Sequence, residues 1–290
     1  MNTKLYIVTA VVGCALAFSA CEKVIDVKLD TGVSQLAVSA FVNNKHETQI
    51  IVLSKTAGYF NNVPCPPATG ASVKITDNKG NTFNFIDYTN EGRYMWTPAV
   101  TDTLAHPGYS YTLSITYGSE QYQAVSIANP VPQIDSMNYE LKKGDNPSGP
   151  KAYYASFFAR DIKGRPDYYW IKSFQDGSLL SPQDVNLSID GAIGGPGGDG
   201  LPFIVPVRQS INPGKGFNLG DTCAVEVHTI SADLYFFFLE VQTQTRNGGL
   251  FATPPANVST NIKNVNPASV VKAVGFFNIA MVSNGGIKIK

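Results

Sequence analysis

From residue 35 to residue 128, apolar side chains recur at every second position, the period of a strand with one buried face. Leu36, Val38, Ala40 and Val42 alternate with polar or small residues. A turn at Asn43-Asn44-Lys45 separates them from a second strand over residues 49–53, and a loop over 58–70 carries Pro64, Pro66 and Pro67. Val73 and Ile75 run into Asp77-Asn78-Lys79-Gly80, which suits a turn with positive φ at Gly80, and Phe83 and Phe85 mark the return strand of a hairpin. Gly92-Arg93-Tyr94-Met95-Trp96 predicts another strand. Tyr109, Tyr111, Leu113, Ile115 and Tyr117 alternate through the next, and Gly118-Ser119 turns the chain into Tyr122-Gln123-Ala124-Val125. The turn at Pro107-Gly108 followed by Tyr111 resembles the tyrosine corner of Greek-key sandwiches; an ordinary strand tyrosine is the competing reading. Residues 35–130 are therefore predicted to form an immunoglobulin-like or transthyretin-like sandwich.

Asn129-Pro130-Val131-Pro132-Gln133 is a stiff link and the expected boundary to a second region, residues 131–290. Strands are expected there over 136–141, 151–161, 167–172, 203–207 and 223–230, with a low-complexity Gly-rich loop over 190–200. One helix stands out. Ser231 is its N-cap, Asp233 adds an acid to the first turn, and Leu234, Phe237, Phe238, Val241 and Thr245 keep helical spacing. Arg246 and Asn247-Gly248-Gly249 stop it, and its apolar run predicts a largely buried helix. A last strand is expected around Val274-Gly275-Phe276-Phe277, with Ile279 and Met281 beyond. The fold class is mainly β, with a C-terminal β-rich domain carrying one buried helix.

The first 20 residues break this pattern. Lys4 is followed by an almost wholly apolar run over residues 5–18 and by the small residues Ser19-Ala20, the layout of a cleaved secretory signal. The run is too short for a bilayer span, which takes about 20 residues. Ala17-Phe18-Ser19-Ala20-Cys21 looks like a lipobox, with Phe18 where Leu is usual, so Cys21 is the expected lipid-bearing residue. Val11-Val12-Gly13-Cys14 is a rival site, but it leaves a short apolar core. Residues 21–34 are expected to form a tether.

Lys+Arg and Asp+Glu each number 22, and charged residues make up only 15%. There is no basic excess to attract nucleic acid and no polybasic patch for anionic lipid. Cys65 and Cys223 remain in the body, and an oxidising compartment would allow a disulfide between them, though spacing alone cannot pair them. The three histidines, His46, His106 and His228, are dispersed, so no metal site and no cofactor are expected.

Other candidates are weaker. The Gly-rich loop lacks the Gly-Lys-Ser/Thr ending of a phosphate loop. Asp184, Asp190 and Asp199 have oxygen ligands for calcium but match no calcium-loop spacing. Asp161, Asp167 and Glu240 are the carboxylates a glycosidase would draw on. Tyr168, Tyr169 and Trp170 would make a ligand platform for a sugar or peptide, if they are not core.

The lipobox, the Gly92-Arg93-Tyr94 and Pro107-Gly108 region, the helix after Cys223 and the Thr260-Asn261-Ile262…Gly275-Phe276-Phe277 ending together resemble the Bacteroidota outer-membrane lipoproteins called domain of unknown function 4249. The start Cys21-Glu22-Lys23-Val24-Ile25-Asp26 is similar to their mature N-terminus, and Glu22 and Asp26 to surface-export signals. Asp102-Thr103-Leu104 and Asp135-Ser136-Met137 match a short O-glycosylation pattern of that phylum. The resemblance implies an outer-membrane lipoprotein, on the surface or the periplasmic face, that partners a TonB-dependent receptor and has no active site to carry over. A free-standing glycan- or peptide-binding lipoprotein and a hydrolase with an unrecognised site are the alternatives.

Overall fold

The described residues form sixteen strands, with alternation of burial along most of the longer ones. The computed structural model describes residues 33–58, 63–144, 149–181, 185–193, 197–246 and 257–290. In chain order the strands are β1 (Leu36–Asn43), β2 (Gln49–Lys55), β3 (Ser72–Asp77), β4 (Thr82–Phe85), β5 (Arg93–Trp96), β6 (Ser110–Tyr117), β7 (Glu120–Ile127) and β8 (Ile134–Lys143). There follow β9 (Lys151–Ala159), β10 (Tyr168–Gln175), β11 (Ser178–Leu179), β12 (Asn186–Ile189), β13 (Thr222–Ile230), β14 (Lys263–Asn264), β15 (Ala273–Ala280) and β16 (Val282–Lys288). Two helices are described: α1 (Val205–Gln209) between β12 and β13, and α2 (Ala232–Thr245) between β13 and β14. No helix among the described residues is long and apolar enough to cross a membrane. Cys21 and its leader lie outside the described residues, as does Asp184.

Two sheets, ordered β15-β1-β2-β5 and β14-β7-β6-β3-β4, make the first sandwich. Their inner faces share one core, in which Leu36, Val38 and Ala40 of β1 meet Ile75, Tyr111, Leu113 and Tyr122. The tyrosine corner is present: the fully buried Tyr111 hydroxyl accepts a hydrogen bond from the His106 backbone N–H at 2.8 Å. Gly80 adopts φ +90°, and Asp77 Oδ1 closes its turn by accepting from the Lys79 and Asn81 N–H groups.

The C-terminal region completes this sandwich. β15 runs parallel to β1 along its whole length, and β14 pairs with β7. Ile262, Ala273, Phe277 and Ile279 belong to the first core. A cut after residue 130 would therefore part β1–β7 from two strands of their own sheets. Gly275 permits the junction: it has φ +96°, and a Cβ there would lie 1.9 Å from the Val38 carbonyl oxygen.

The remaining strands form a sheet ordered β11-β10-β13-β16, with β12 also on β10, and a β8–β9 hairpin. Phe157, Tyr169, Ile171, Val225 and Val227 fill a second core between them. The chain expected as a strand at 203–207 is instead α1. Pro206 explains the correction, because it falls in the first helical turn, where a missing N–H costs nothing. The predicted N-cap of α2 is made, with Ser231 Oγ accepting from the Leu234 N–H at 3.1 Å. Only one side of α2 is buried: Leu234, Tyr235, Phe237 and Phe238 pack inward, whereas Phe236 is 52% exposed.

Candidate functional site

Pleating of β10 sends Tyr169 and Ile171 into the second core and turns Tyr168, Trp170 and Lys172 to the opposite face. The three aromatic residues proposed as a platform are therefore split, which corrects that expectation. Tyr169 is fully buried. Tyr168 and Trp170 are half-buried beneath α2: the Tyr168 ring lies 5.3 Å from that of Tyr235, and Trp170 5.0 Å from Phe238.

On the Trp170 side, antiparallel register sets Trp170 opposite His228 and Lys172 opposite Glu226. Glu226 is the hub. Its Oε1 lies 2.7 Å from Lys45 Nζ, which reaches across from the β1–β2 turn, and its Oε2 lies 2.8 Å from His228 Nε2. Lys45 is also 3.0 Å from Glu47. Burial alone would raise the Glu226 carboxyl, but the bonds from His228 and Lys45 outweigh it and hold the group down at about 2. Burial keeps His228 below its ordinary range despite Glu226, so its imidazole is neutral near pH 7. Lys172 takes another partner: its ammonium sits 3.9 Å from the Trp170 ring centroid. The enclosed cavity, lined by Phe41, Asn43, Trp170, Lys172, His228 and Asn278 among others, measures about 20 Å³. That is room for one water molecule. Chemically, the cluster fastens the first sandwich to β13; it offers no space for a substrate.

A second buried cluster unites aspartates that the sequence left in separate hypotheses. Asp161, Asp167 and Asp190 are all under 6% exposed. Asp161 accepts from the Tyr169 hydroxyl at 2.5 Å and from the Gly200 N–H at 3.0 Å. Asp190 Oδ1 accepts from the Asp167 N–H at 2.7 Å. Asp167 Oδ1 is 2.9 Å from Arg165 Nε, while its Oδ2 is buried without a hydrogen-bond partner. Burial pushes Asp167 up to about 6, against the pull of Arg165, and also raises Asp161. The Arg165 guanidinium reaches Asn129 Oδ1 at 3.3 Å, so this cluster secures both the Gly-rich loop and the link between the regions.

Among the described residues, the carboxylates proposed for catalysis or calcium are held in structural contacts, and Asp184 lies outside those residues. Asp199 accepts from the Gly164 N–H and Glu240 from the Ser259 N–H. No group of three or more His, Cys, Asp or Glu among the described residues is placed to hold a metal ion. The disulfide allowed by the sequence is not formed: Cys65 is exposed, and Cys223 is sealed in the second core with its thiol pushed up to about 12 by burial. Of the two glycosylation candidates, Thr103 donates to the Asn44 carbonyl, whereas Ser136 is exposed on β8. Sequence reasoning missed the Lys45–Glu226–His228 hub. The alternation in Cys223–Ile230 signals that Glu226 and His228 share a strand, but nothing local points to Lys45.

Among curated proteins nothing matches this chain. The profile of the family described as Domain of unknown function (DUF4249) matches residues 22–284. That match covers most of the chain, so the chain belongs to that family.

Proposed function

We propose that this protein is a lipid-anchored outer-membrane binding protein that serves as an accessory to a TonB-dependent transporter. One observation carries the anchor. The family region begins at Glu22, immediately after the cysteine that ends the lipobox-like run. Cleavage before Cys21 would thus leave the acylated residue at the very start of the family's shared body. More than one chain or signal is needed for stable attachment, which a multiply acylated cysteine supplies.

Two features favour binding over catalysis. Asp161, Asp190 and Glu226 are engaged by Tyr169, by the Asp167 N–H and by Lys45 and His228, and the cavity beside His228 admits only water. Apolar side chains are instead displayed on the surface. Val125 and Ile127 on the outer face of β7 are 59% and 53% exposed, and Val125 and Val265 line a groove of about 530 Å³. Such displays mark interaction surfaces. The burial of Tyr169 weakens the reading as a free-standing binder built on the β10 aromatics.

The anchor is tested by fractionating cells that express the wild type or Cys21→Ala. Wild type is expected in the outer-membrane fraction and the variant in the soluble envelope fraction. Retention of the variant in the membrane would overturn the assignment.

A further inference from the structure

β7 is paired along one whole edge and in part along the other. It pairs with β6 from Glu120 to Ile127, whereas β14 pairs with it at Tyr122 and Gln123. Two bonds fix which way its backbone groups point. The Val265 N–H donates to the Gln121 carbonyl on the β14 side, and the Ala128 N–H donates to the Tyr109 carbonyl on the β6 side. Backbone direction alternates along a strand, so Gln121, Gln123 and Val125 present their N–H and C=O groups to the β14 side. At Val125 the β14 ladder is no longer there. Among the described residues, no hydrogen bond engages the Val125 N–H or C=O.

The ladder ends for a local reason. Its register, continued, would set Asn261 opposite Val125. The Asn261 side chain is bound to β15 instead, donating to the Phe277 carbonyl at 2.7 Å and accepting from the Phe277 N–H at 2.9 Å. The open edge lies in the groove of about 530 Å³ that Val125 shares with Asp233, Thr260, Asn261, Lys263 and Val265. Its β14 wall is pinned, because Asn264 Nδ2 donates to Glu120 Oε2 at 2.6 Å. The two ends of the groove carry opposite charge. Lys263 lies opposite Gln123. Asp233 lies toward the Ser126 end: the nearby Ser231 N–H donates to Asn278 Oδ1, and the N–H of the next residue, Ile279, donates to Ser126 Oγ. Neither Asp233 nor Lys263 forms an ion pair among the described residues.

We infer that the open edge of β7 accepts an extended segment of a partner protein as an added strand, antiparallel to β7 as β14 is. An unpaired strand edge is a template for such pairing, with main-chain bonds giving affinity and alternate side chains giving specificity. The charges set the segment's sequence. Running antiparallel, it brings a basic residue near its N-terminal end to Asp233 and an acidic residue near its C-terminal end to Lys263, with apolar side chains between them against Val125 and Val265. Strand addition here rests on the reading of this groove as an interaction surface and specifies the partner's form.

The test is calorimetric titration of the folded full chain with two end-blocked peptides, Lys-Val-Thr-Val-Thr-Val-Glu and its charge-swapped form Glu-Val-Thr-Val-Thr-Val-Lys. The first should bind, and the second should bind about threefold more weakly. Val125→Pro removes the edge N–H and leaves the β6 ladder intact, a change that edge strands tolerate, and should weaken binding roughly tenfold. Val125→Thr keeps the N–H and should bind nearly as wild type does. No binding at about 1 mM, equal affinity for the two peptides, undiminished binding by Val125→Pro, or an equal loss in Val125→Thr would each overturn the inference. So would a dimer of the wild type, seen by sedimentation, that Val125→Pro dissolves, because a second copy would then hold the edge. If Val125→Pro fails to fold, hydrogen exchange of the wild type decides: the first peptide should slow exchange at the Val125 amide, and an unchanged rate counts against the site. A transporter barrel that co-purifies undiminished with folded Val125→Pro would keep the accessory reading and sink this one.

Discussion

Removing the link between Lys45 and Glu226 should separate the energetics of the first sandwich from those of β13. Glu226 falls from an ordinary 4.5 to about 2 in the folded protein. At about 1.4 kcal/mol per pH unit, its bonds contribute up to about 3 kcal/mol above pH 4.5. Two partners share this, His228 at 2.8 Å and Lys45 at 2.7 Å, so about 1.5 kcal/mol falls to each. The Lys45 side chain is 36% exposed, and solvent screening reduces its share to about 1 kcal/mol. A double-mutant cycle with Lys45→Met and Glu226→Gln, read by urea denaturation at pH 7, should return that coupling. Because the folded carboxyl is depressed, the coupling is present above pH 4.5 and is lost as pH falls toward 2. A coupling under about 0.3 kcal/mol at pH 7, or one that does not fade in acid, would refute the reasoning.

Asp167 has the opposite sign. Raised from 3.8 to about 6, it favours the folded state below pH 3.8, and that contribution disappears as pH rises through 6. Asp167→Asn should therefore flatten the fall in Tm between pH 4 and pH 7, and parallel Tm profiles would argue against it. Tyr111→Phe removes the acceptor for the His106 N–H and should cost about 1–3 kcal/mol in chemical denaturation, with no change in secondary structure by circular dichroism. Gly275→Ala forces a Cβ into the Val38 carbonyl at a positive-φ position and should cost more than about 4 kcal/mol, seen as loss of soluble protein or a collapsed Tm.

Local chemistry made the first sandwich readable. The period-two runs, the Asp77–Gly80 turn and Tyr111 after Pro107-Gly108 each carry their own stereochemical reason, and each appears where expected. Ser231 likewise marks its helix by a bond that any serine N-cap makes. What stayed hidden depends on partners remote in sequence. β15 reads as a generic apolar strand, and only Gly275 hints that another backbone approaches it closely. The apolar run of α2 overstated its burial, because composition does not reveal that Phe236 faces solvent. The aromatic run at 168–170 misled for a simpler reason: in a strand, neighbours point to opposite faces. The candidate carboxylates were visible individually, but the pairing of Asp161 with Tyr169 and of Asp167 with Asp190 comes from loop closure.

The central claim is a partnership at the outer membrane, and co-purification tests it most directly. The native protein, carrying a C-terminal affinity tag and extracted from outer membranes in mild detergent, should bring down a TonB-dependent barrel in near-equal amount by quantitative mass spectrometry. Recovery of the protein alone, from membranes in which such a barrel is abundant, would contradict the account.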